Sequence, residues 1–167
     1  MRASVLSAAV LFSALFSQTS EASPQWSTPV SGCAVASFTT ANAPTIDAQY
    51  GEVDFTGTDT GTVTLVCPVT NLVSVSTLSF TYNDQGTGCS MSASLLFHNL
   101  TTATSGSLAT STASAGASGN AYLKTTASSF GSTPLDFSTN FYWTEVIMTR
   151  TSGTVTYCSA NAVYLGT

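Results

Sequence analysis

Charged side chains are scarce in this sequence: Asp, Glu, Lys and Arg together make up 7% of its 167 residues. Beyond residue 22 the fixed cations are Lys124 and Arg150 alone, against seven acidic side chains, so this part carries 2 − 7 = −5. A nucleic-acid partner is disfavoured, because binding phosphates needs basic side chains that displace counterions. The same shortage disfavours adsorption to anionic lipid.

Histidine occurs once, as His98, and the sequence has neither a Gly-x-Ser-x-Gly elbow nor a Cys-x-x-Cys motif. A Ser–His–Asp triad would have to use His98, and the sequence favours instead a polar residue at the end of a strand. Zinc sites normally need closer paired ligands, so the cysteines predict two disulfides. Three pairings are open for four cysteines, and these are Cys33, Cys67, Cys89 and Cys158.

Long apolar runs are also lacking. The longest, residues 5–16, follows a basic start at Arg2 and precedes a small-residue cleavage signature around Glu21. It is too short to span a bilayer stably, so residues 1–22 are predicted to be a secretory signal peptide. Residues 23–167 then form a single secreted domain without a transmembrane segment, in a compartment where disulfides persist. The signal does not distinguish the periplasm from the exterior.

Apolar and polar residues alternate along most of the remaining sequence, and no window outside residues 5–16 has helical periodicity. Residues 62–67, 75–82, 89–97 and 142–149 are the clearest strands, and 75–82 with 89–97 are predicted to pair as a hairpin. Serine and threonine supply the surface polarity that charge does not. We therefore expect an all-β fold, an antiparallel β-sandwich of jelly-roll or immunoglobulin-like type with about 7–9 strands, with a closed barrel as the alternative.

Residues 142–149 contain the candidate ligand-binding side chains Tyr142, Trp143 and Glu145. Alternation places Tyr142 on one face of the strand and Trp143 with Glu145 on the other. If Tyr142 faces the core, an indole and a carboxylate lie side by side in solvent, where they can stack on and hydrogen-bond a sugar ring. The alternative is a packed Trp143 with Glu145 paired to Arg150.

A second oxygen-rich segment contains four acidic residues within 13 positions, which are Asp47, Glu52, Asp54 and Asp59. Carboxylates and backbone carbonyls are the ligands calcium prefers, so Glu52, Asp54 and Asp59 are candidate calcium ligands. The segment lacks the spacing of a calcium-binding helix–loop–helix. The alternative is a solvated loop between strands, in which short acids and glycines form turns.

Several local patterns together resemble a group of uncharacterised small secreted bacterial β-sandwich proteins. They are Ser31-Gly32-Cys33, Tyr50-Gly51-Glu52-Val53, Val63-Thr64-Leu65-Val66-Cys67-Pro68, Cys89-Ser90-Met91 and Tyr157-Cys158-Ser159. The resemblance implies an exported, disulfide-bonded β-domain and favours the pairs Cys33–Cys67 and Cys89–Cys158. It implies no catalytic or binding residue. A weaker likeness is to secreted pilus subunits of the spore-coat-U type, which polymerise by donating a strand.

These features favour a non-catalytic, extracellular binding or cell-surface module, with a glycan as the expected ligand. No cofactor is expected apart from the candidate calcium ion. One alternative is a self-assembling structural subunit, which requires an open sheet edge and residues 23–32 free to reach a neighbouring molecule. The other is a secreted glycoside hydrolase that uses Glu145 with a second acid.

Overall fold

The computed structural model of the chain describes residues 26–84, 87–113, 123–126, 130–155 and 157–167. The predicted signal peptide lies outside these ranges. Within them no helix is long and apolar enough to cross a membrane. One 3-10 turn, Val30–Gly32, accompanies thirteen strands in the described ranges. The strands are β1 (Trp26–Pro29), β2 (Ala34–Phe38), β3 (Thr45–Asp47), β4 (Glu52–Asp54), β5 (Gly61–Pro68), β6 (Ser74–Val75), β7 (Thr77–Asp84), β8 (Cys89–Asn99), β9 (Thr104–Thr112), β10 (Leu123–Thr126), β11 (Thr133–Pro134), β12 (Asn140–Arg150) and β13 (Cys158–Gly166).

The strands form two main antiparallel sheets. The five-stranded sheet has the order β2-β5-β12-β8-β9, and the six-stranded sheet has the order β10-β7-β13-β4-β3, with β1 also paired to β13. A small third sheet consists of β6 and β11. This arrangement confirms the predicted all-β, sandwich-like fold. The strand total exceeds the expected seven to nine because the short strands, such as β6 and β11, have no alternation from which to predict them.

The core lies between the two main sheets, and it is built from residues at every second position. In β5 the buried side chains are Val63, Leu65 and Cys67, as alternation predicts. On the six-stranded sheet Phe80 and Tyr82 are buried, with ring centroids 4.9 Å apart. Burying one such side chain stabilises the fold by roughly 1.5–3 kcal/mol. The two sheets are therefore held together mainly by their inner apolar faces.

The predicted hairpin of residues 75–82 with 89–97 is wrong. β7 pairs with β10 and β13, whereas β8 pairs with β12 and β9 in the opposite sheet. Both strands have one apolar face, and these faces meet across the core instead of lying side by side. Alternation determines which face of a strand is buried, but it does not determine which strand is its neighbour.

The C-terminal strand contains one irregularity. β13 is continuous except for a register shift between Ala160 and Ala162. Asn161 occupies this β-bulge, where its side-chain amide donates to the Tyr50 carbonyl oxygen at 2.6 Å and its side-chain oxygen accepts from the Thr81 hydroxyl at 3.2 Å. A bulge leaves one residue without a ladder partner, so these side-chain bonds replace the missing pairing.

Both disulfides expected from the resemblance are present. Cys33 and Cys67 join the start of β2 to β5, with their Cα atoms 4.5 Å apart. Cys89 and Cys158 join β8 to β13, with their Cα atoms 5.7 Å apart. The first disulfide lies where the chain crosses from β1 in one sheet to β2 in the other. The second connects the two sheets directly.

Candidate functional site on the outer face of the five-stranded sheet

β12 is the central strand of the five-stranded sheet, and its side chains alternate between core and surface. Tyr142, Val146 and Met148 are buried, whereas Trp143 and Glu145 are partly exposed on the outer face. Of the two alternatives from the sequence, the structure therefore has the indole and the carboxylate facing outward. We call the outward side chains of β12 and their neighbours on β5, β8 and β9 the β12 face.

Trp143 lies in the middle of this face, with an apolar neighbour on either side. Its register partners are Pro68 on β5 and Leu96 on β8. Phe141, two residues earlier on the same face, is 62% exposed. Trp143 is partly exposed between these neighbours on the outer face. The face therefore carries an aromatic platform, and an exposed indole is a side chain on which a sugar ring can stack.

Glu145 follows Trp143 on the same face of β12. Its register partners, Val66 on β5 and Ser94 on β8, carry no charge. Arg150 does not pair with Glu145, because Arg150 is only 5% exposed and faces the core. The carboxylate is thus available to a ligand that lies across Trp143.

Hydroxyl groups cover most of the remaining β12 face. The Ser94 and Thr110 side-chain oxygens are 2.9 Å apart across β8 and β9, and those of Thr62 and Thr149 are 3.1 Å apart across β5 and β12. A hydroxyl that is paired once can still offer a lone pair to a ligand. Beyond Glu145 the face has an open depression of about 130 Å³, which is lined by Ser90, Ser92, Thr112, Ile147 and Thr149 among others.

The loop before β12 determines where the platform begins. The Asp136 carboxylate accepts hydrogen bonds from the Ser138 backbone N–H at 2.9 Å and from the Thr139 hydroxyl at 2.7 Å. The hydrogen bond from the Ser138 hydroxyl is the main cause that lowers the pKa of Asp136, and these two bonds act in the same direction. Asn140 then donates its backbone N–H to the Asp136 carbonyl and accepts from the Asn99 amide at 3.0 Å. The start of β12 is therefore fixed against the end of β8.

Tyr142 supports this loop from inside the sandwich and does not belong to the β12 face. It is 8% exposed, and its hydroxyl accepts a hydrogen bond from the Asp136 backbone N–H at 3.1 Å. Its ring packs edge-on against Phe137, with centroids 5.0 Å apart. The structure therefore separates Tyr142 from Trp143 and Glu145, with which it was grouped from the sequence.

His98 lies at the end of the β12 face, opposite Phe141. Its Nδ1 is 2.8 Å from the hydroxyl oxygen of Ser105. A triad also needs an acid that orients the imidazole. β8, β9 and β12 are described in full, and the acid they contain, Glu145, is four register positions away, about 14 Å along the strand. The Asp136 carboxylate, in the loop before β12, accepts its hydrogen bonds from Ser138 and Thr139. The arrangement does not support nucleophilic catalysis through His98.

The candidate calcium ligands have separate hydrogen-bond partners. Asp59 accepts from the backbone N–H and the side-chain amide of Asn42, at 2.9 and 3.0 Å. Asp54 accepts from the Phe55 N–H at 2.6 Å, and burial raises its pKa. Among the residues that the structure describes, no three His, Cys, Asp or Glu side chains are placed to hold a metal ion. The calcium prediction therefore gains no support from these contacts.

The β12 face includes residues that the sequence analysis does not predict. Phe141 lies just before the predicted strand 142–149, but it continues the alternation of Trp143 and Glu145, and that signal is enough to identify it. Pro68, Leu96 and Thr110 reach the face only through strand register, for which the sequence has no local signal.

A comparison of the sequence with models of protein families found no match, and a comparison with curated proteins found none either.

Proposed function

We propose that this protein is an exported, non-catalytic binding module that takes a glycan on the β12 face. The observation that carries the proposal is the outward placement of Trp143 beside Glu145 on the central strand of the five-stranded sheet. Stacking on an indole provides affinity for a sugar ring, and a carboxylate beside it accepts hydrogen bonds from ring substituents.

The shape of the surface favours an extended polysaccharide over a small sugar. Six residues separate Trp143 from Thr149, which is about 20 Å along an antiparallel strand. This length runs from the aromatic platform to the open depression of about 130 Å³. Small-molecule sites are usually concave pockets that enclose their ligand, whereas an open face of this length leaves room for the side of a long chain.

Export is supported by the two disulfides, because such bonds persist in oxidising compartments and are rare in the cytosol. The predicted signal peptide at residues 1–22 is consistent with the same location. The protein takes its surface polarity from hydroxyl groups and is crosslinked by two disulfides. Both features suit a protein that works outside the cell.

Neither alternative function has comparable support. A glycosidase needs two carboxylates on either side of the scissile bond. The strands of the five-stranded sheet, all of them described, contain Glu145 as their one acid. A strand-donating subunit needs residues 23–32 free, but residues 26–29 form β1, which pairs with β13 from Trp26↔Leu165 to Pro29↔Ala162. A monomer in analytical ultracentrifugation at all concentrations would contradict self-assembly.

The test is a pull-down of the purified protein with a panel of insoluble neutral, acidic and amine-bearing polysaccharides. Wild type is compared with Trp143→Ala and with the control Tyr50→Ala. Tyr50 is also an exposed aromatic residue, at 61%, but it lies between β3 and β4 of the other sheet. We expect Trp143→Ala to weaken binding at least tenfold, about 1.4 kcal/mol, and Tyr50→Ala to leave it unchanged.

Circular dichroism of both variants establishes that each is folded. Equal retention of all three proteins on every polysaccharide would overturn the proposal.

A further inference from the structure

The charge of the β12 face is unusual even for a chain with so few charges. Within β2, β5, β8, β9 and β12, every residue of which is described, the side chains with a fixed charge are Glu145 and Arg150. Arg150 points into the core, where it donates to the backbone carbonyls of Gly57, Gly153 and Val155. The outer surface of the sheet therefore has a single fixed charge, which is negative and lies at its centre.

This charge limits the glycans that the face can accept. A carboxylated or sulfated glycan would meet Glu145 and no cation, on a chain with a net charge of −5. A neutral glycan can donate hydroxyl hydrogen bonds to the carboxylate, but it provides no opposite charge. An ammonium group provides both, and a hydrogen bond between two charged groups is stronger than one from a neutral hydroxyl.

Trp143 favours the same ligand. A cation close to the face of an indole is attracted by its quadrupole, and tryptophan is the best of the aromatic residues for this interaction. Glu145 is two residues away on the same face, so an amino-sugar ring that stacks on Trp143 brings its ammonium group near the carboxylate. Val66 and Ser94, on either side of Glu145, offer no competing cation.

We infer that the glycan bound by the β12 face carries free amino groups, as a deacetylated hexosamine polymer does, with the sugar ring on Trp143 and the ammonium group on Glu145. This inference rests on the proposed glycan-binding function and specifies its ligand. The ligand is recognised by charge complementarity at one carboxylate and by stacking on one indole.

The experiment uses one polymer in two chemical states: chitosan, and the same preparation after complete N-acetylation. Binding of the purified mature protein to both is measured for wild type, Glu145→Gln, Trp143→Ala and the control Glu52→Gln. The control removes the same unit of charge from a residue of the same type, on β4 of the other sheet. Circular dichroism establishes that all variants are folded.

We expect wild type to bind the amine form at least tenfold more tightly than the acetylated form. Glu145→Gln should remove this preference, and Glu52→Gln should retain it. Trp143→Ala should weaken binding to both forms. Added salt, and a pH high enough to neutralise the amines, should each reduce the preference of wild type.

Four outcomes would overturn the inference. Equal losses in Glu145→Gln and Glu52→Gln would reveal general attraction between an acidic protein and a polycation. Equal binding of both polymer forms by wild type, still dependent on Trp143, would leave the glycan-binding function standing without the amine requirement. Binding of poly-lysine that depends on both Trp143 and Glu145 would assign the face to a cationic peptide. Loss of all dependence on Trp143 would overturn the glycan-binding function as well.

Discussion

Cys89 on β8 and Cys158 on β13 form a disulfide that ties the two sheets of the sandwich together, with their Cα atoms 5.7 Å apart. In the register of the five-stranded sheet, Cys89 lies directly opposite Arg150, the last residue of β12. The disulfide therefore anchors one end of the strand that presents Trp143 and Glu145. At the other end the Asp136 loop fixes the same strand.

Removing this disulfide should destabilise the protein substantially. The two cysteines are 69 residues apart in sequence, and closing such a loop in the unfolded chain corresponds to about 4 kcal/mol in the chain-entropy model. We expect Cys89→Ala/Cys158→Ala to lose about that much free energy of unfolding, measured by urea denaturation of the oxidised protein. Cys33→Ala/Cys67→Ala, with a separation of 34, should lose slightly less. A loss below about 1 kcal/mol for the first pair would contradict the prediction.

Much of the fold follows from alternation in the sequence. The inward residues of β5 and β8 could be assigned from the sequence, because an apolar residue at every second position can bury only one face of a strand. The partners of β7 and β8 could not be assigned in this way. Their apolar faces suit a hairpin and opposing sheets equally well, and the choice depends on contacts with β12 and β13, which are distant in sequence.

The candidate site was only partly predictable for a related reason. Alternation separated Tyr142 from Trp143 and Glu145, but it did not determine which group was buried. That choice depends on the whole core, in which Val146 and Met148 pack on the same side as Tyr142. The neighbours of Trp143, Pro68 and Leu96, depend on register and therefore become visible only in the folded sheet.

Arg150 is predicted to be a structural residue that cannot be replaced by lysine. Its guanidinium donates to the Gly57 carbonyl at 2.8 Å, the Gly153 carbonyl at 3.2 Å and the Ser152 carbonyl at 3.3 Å, so it joins two loops at one end of the sandwich. A lysine ammonium cannot reach several carbonyls in this planar arrangement. We expect Arg150→Lys to cost about 2–4 kcal/mol in urea unfolding.

Glu145→Gln is the control for this measurement, because it changes one charged residue of the same strand on the outer face. It should alter the free energy of unfolding by less than about 0.5 kcal/mol. Equal effects of the two substitutions would show that the carbonyl contacts of Arg150 do not matter for stability.

Gly153 is predicted to be required because of a close approach between two loops. A Cβ atom at this position would lie 2.6 Å from the Thr58 carbonyl oxygen, and a backbone atom cannot move aside as a flexible side chain can. Gly153→Ala should therefore destabilise the protein by about 1–3 kcal/mol. Gly32→Ala is the matched control, since its nearest atom would be the Thr28 hydroxyl oxygen at 3.9 Å. Thermal unfolding of both variants decides the matter, and similar melting temperatures would contradict the prediction.

The titration of Asp54 should make the protein less stable as pH rises through an acidic range. Burial is the main cause that raises its pKa above the ordinary 3.8, and the nearby Glu52 carboxylate contributes in the same direction. The hydrogen bond from the Phe55 N–H and the Arg150 charge act in the opposite direction but do not cancel the effect. The folded protein therefore binds this proton more tightly than the unfolded chain does. As pH rises from 3.8 through the folded-state pKa, the free energy of unfolding decreases.

Asp54→Asn keeps a hydrogen-bond acceptor for the Phe55 N–H but removes the titration. Relative to wild type, this variant should gain stability as pH rises from 3.8 through the folded-state pKa of Asp54, measured by urea unfolding at each pH. Asp136→Asn is the control of opposite sign, because hydrogen bonds from Ser138 and Thr139 lower the pKa of Asp136. The stability that Asp136 contributes is present above its unfolded pKa and is lost as pH falls through its folded pKa. Asp136→Asn should accordingly lose stability relative to wild type as pH rises, so parallel curves for the two variants would contradict both assignments.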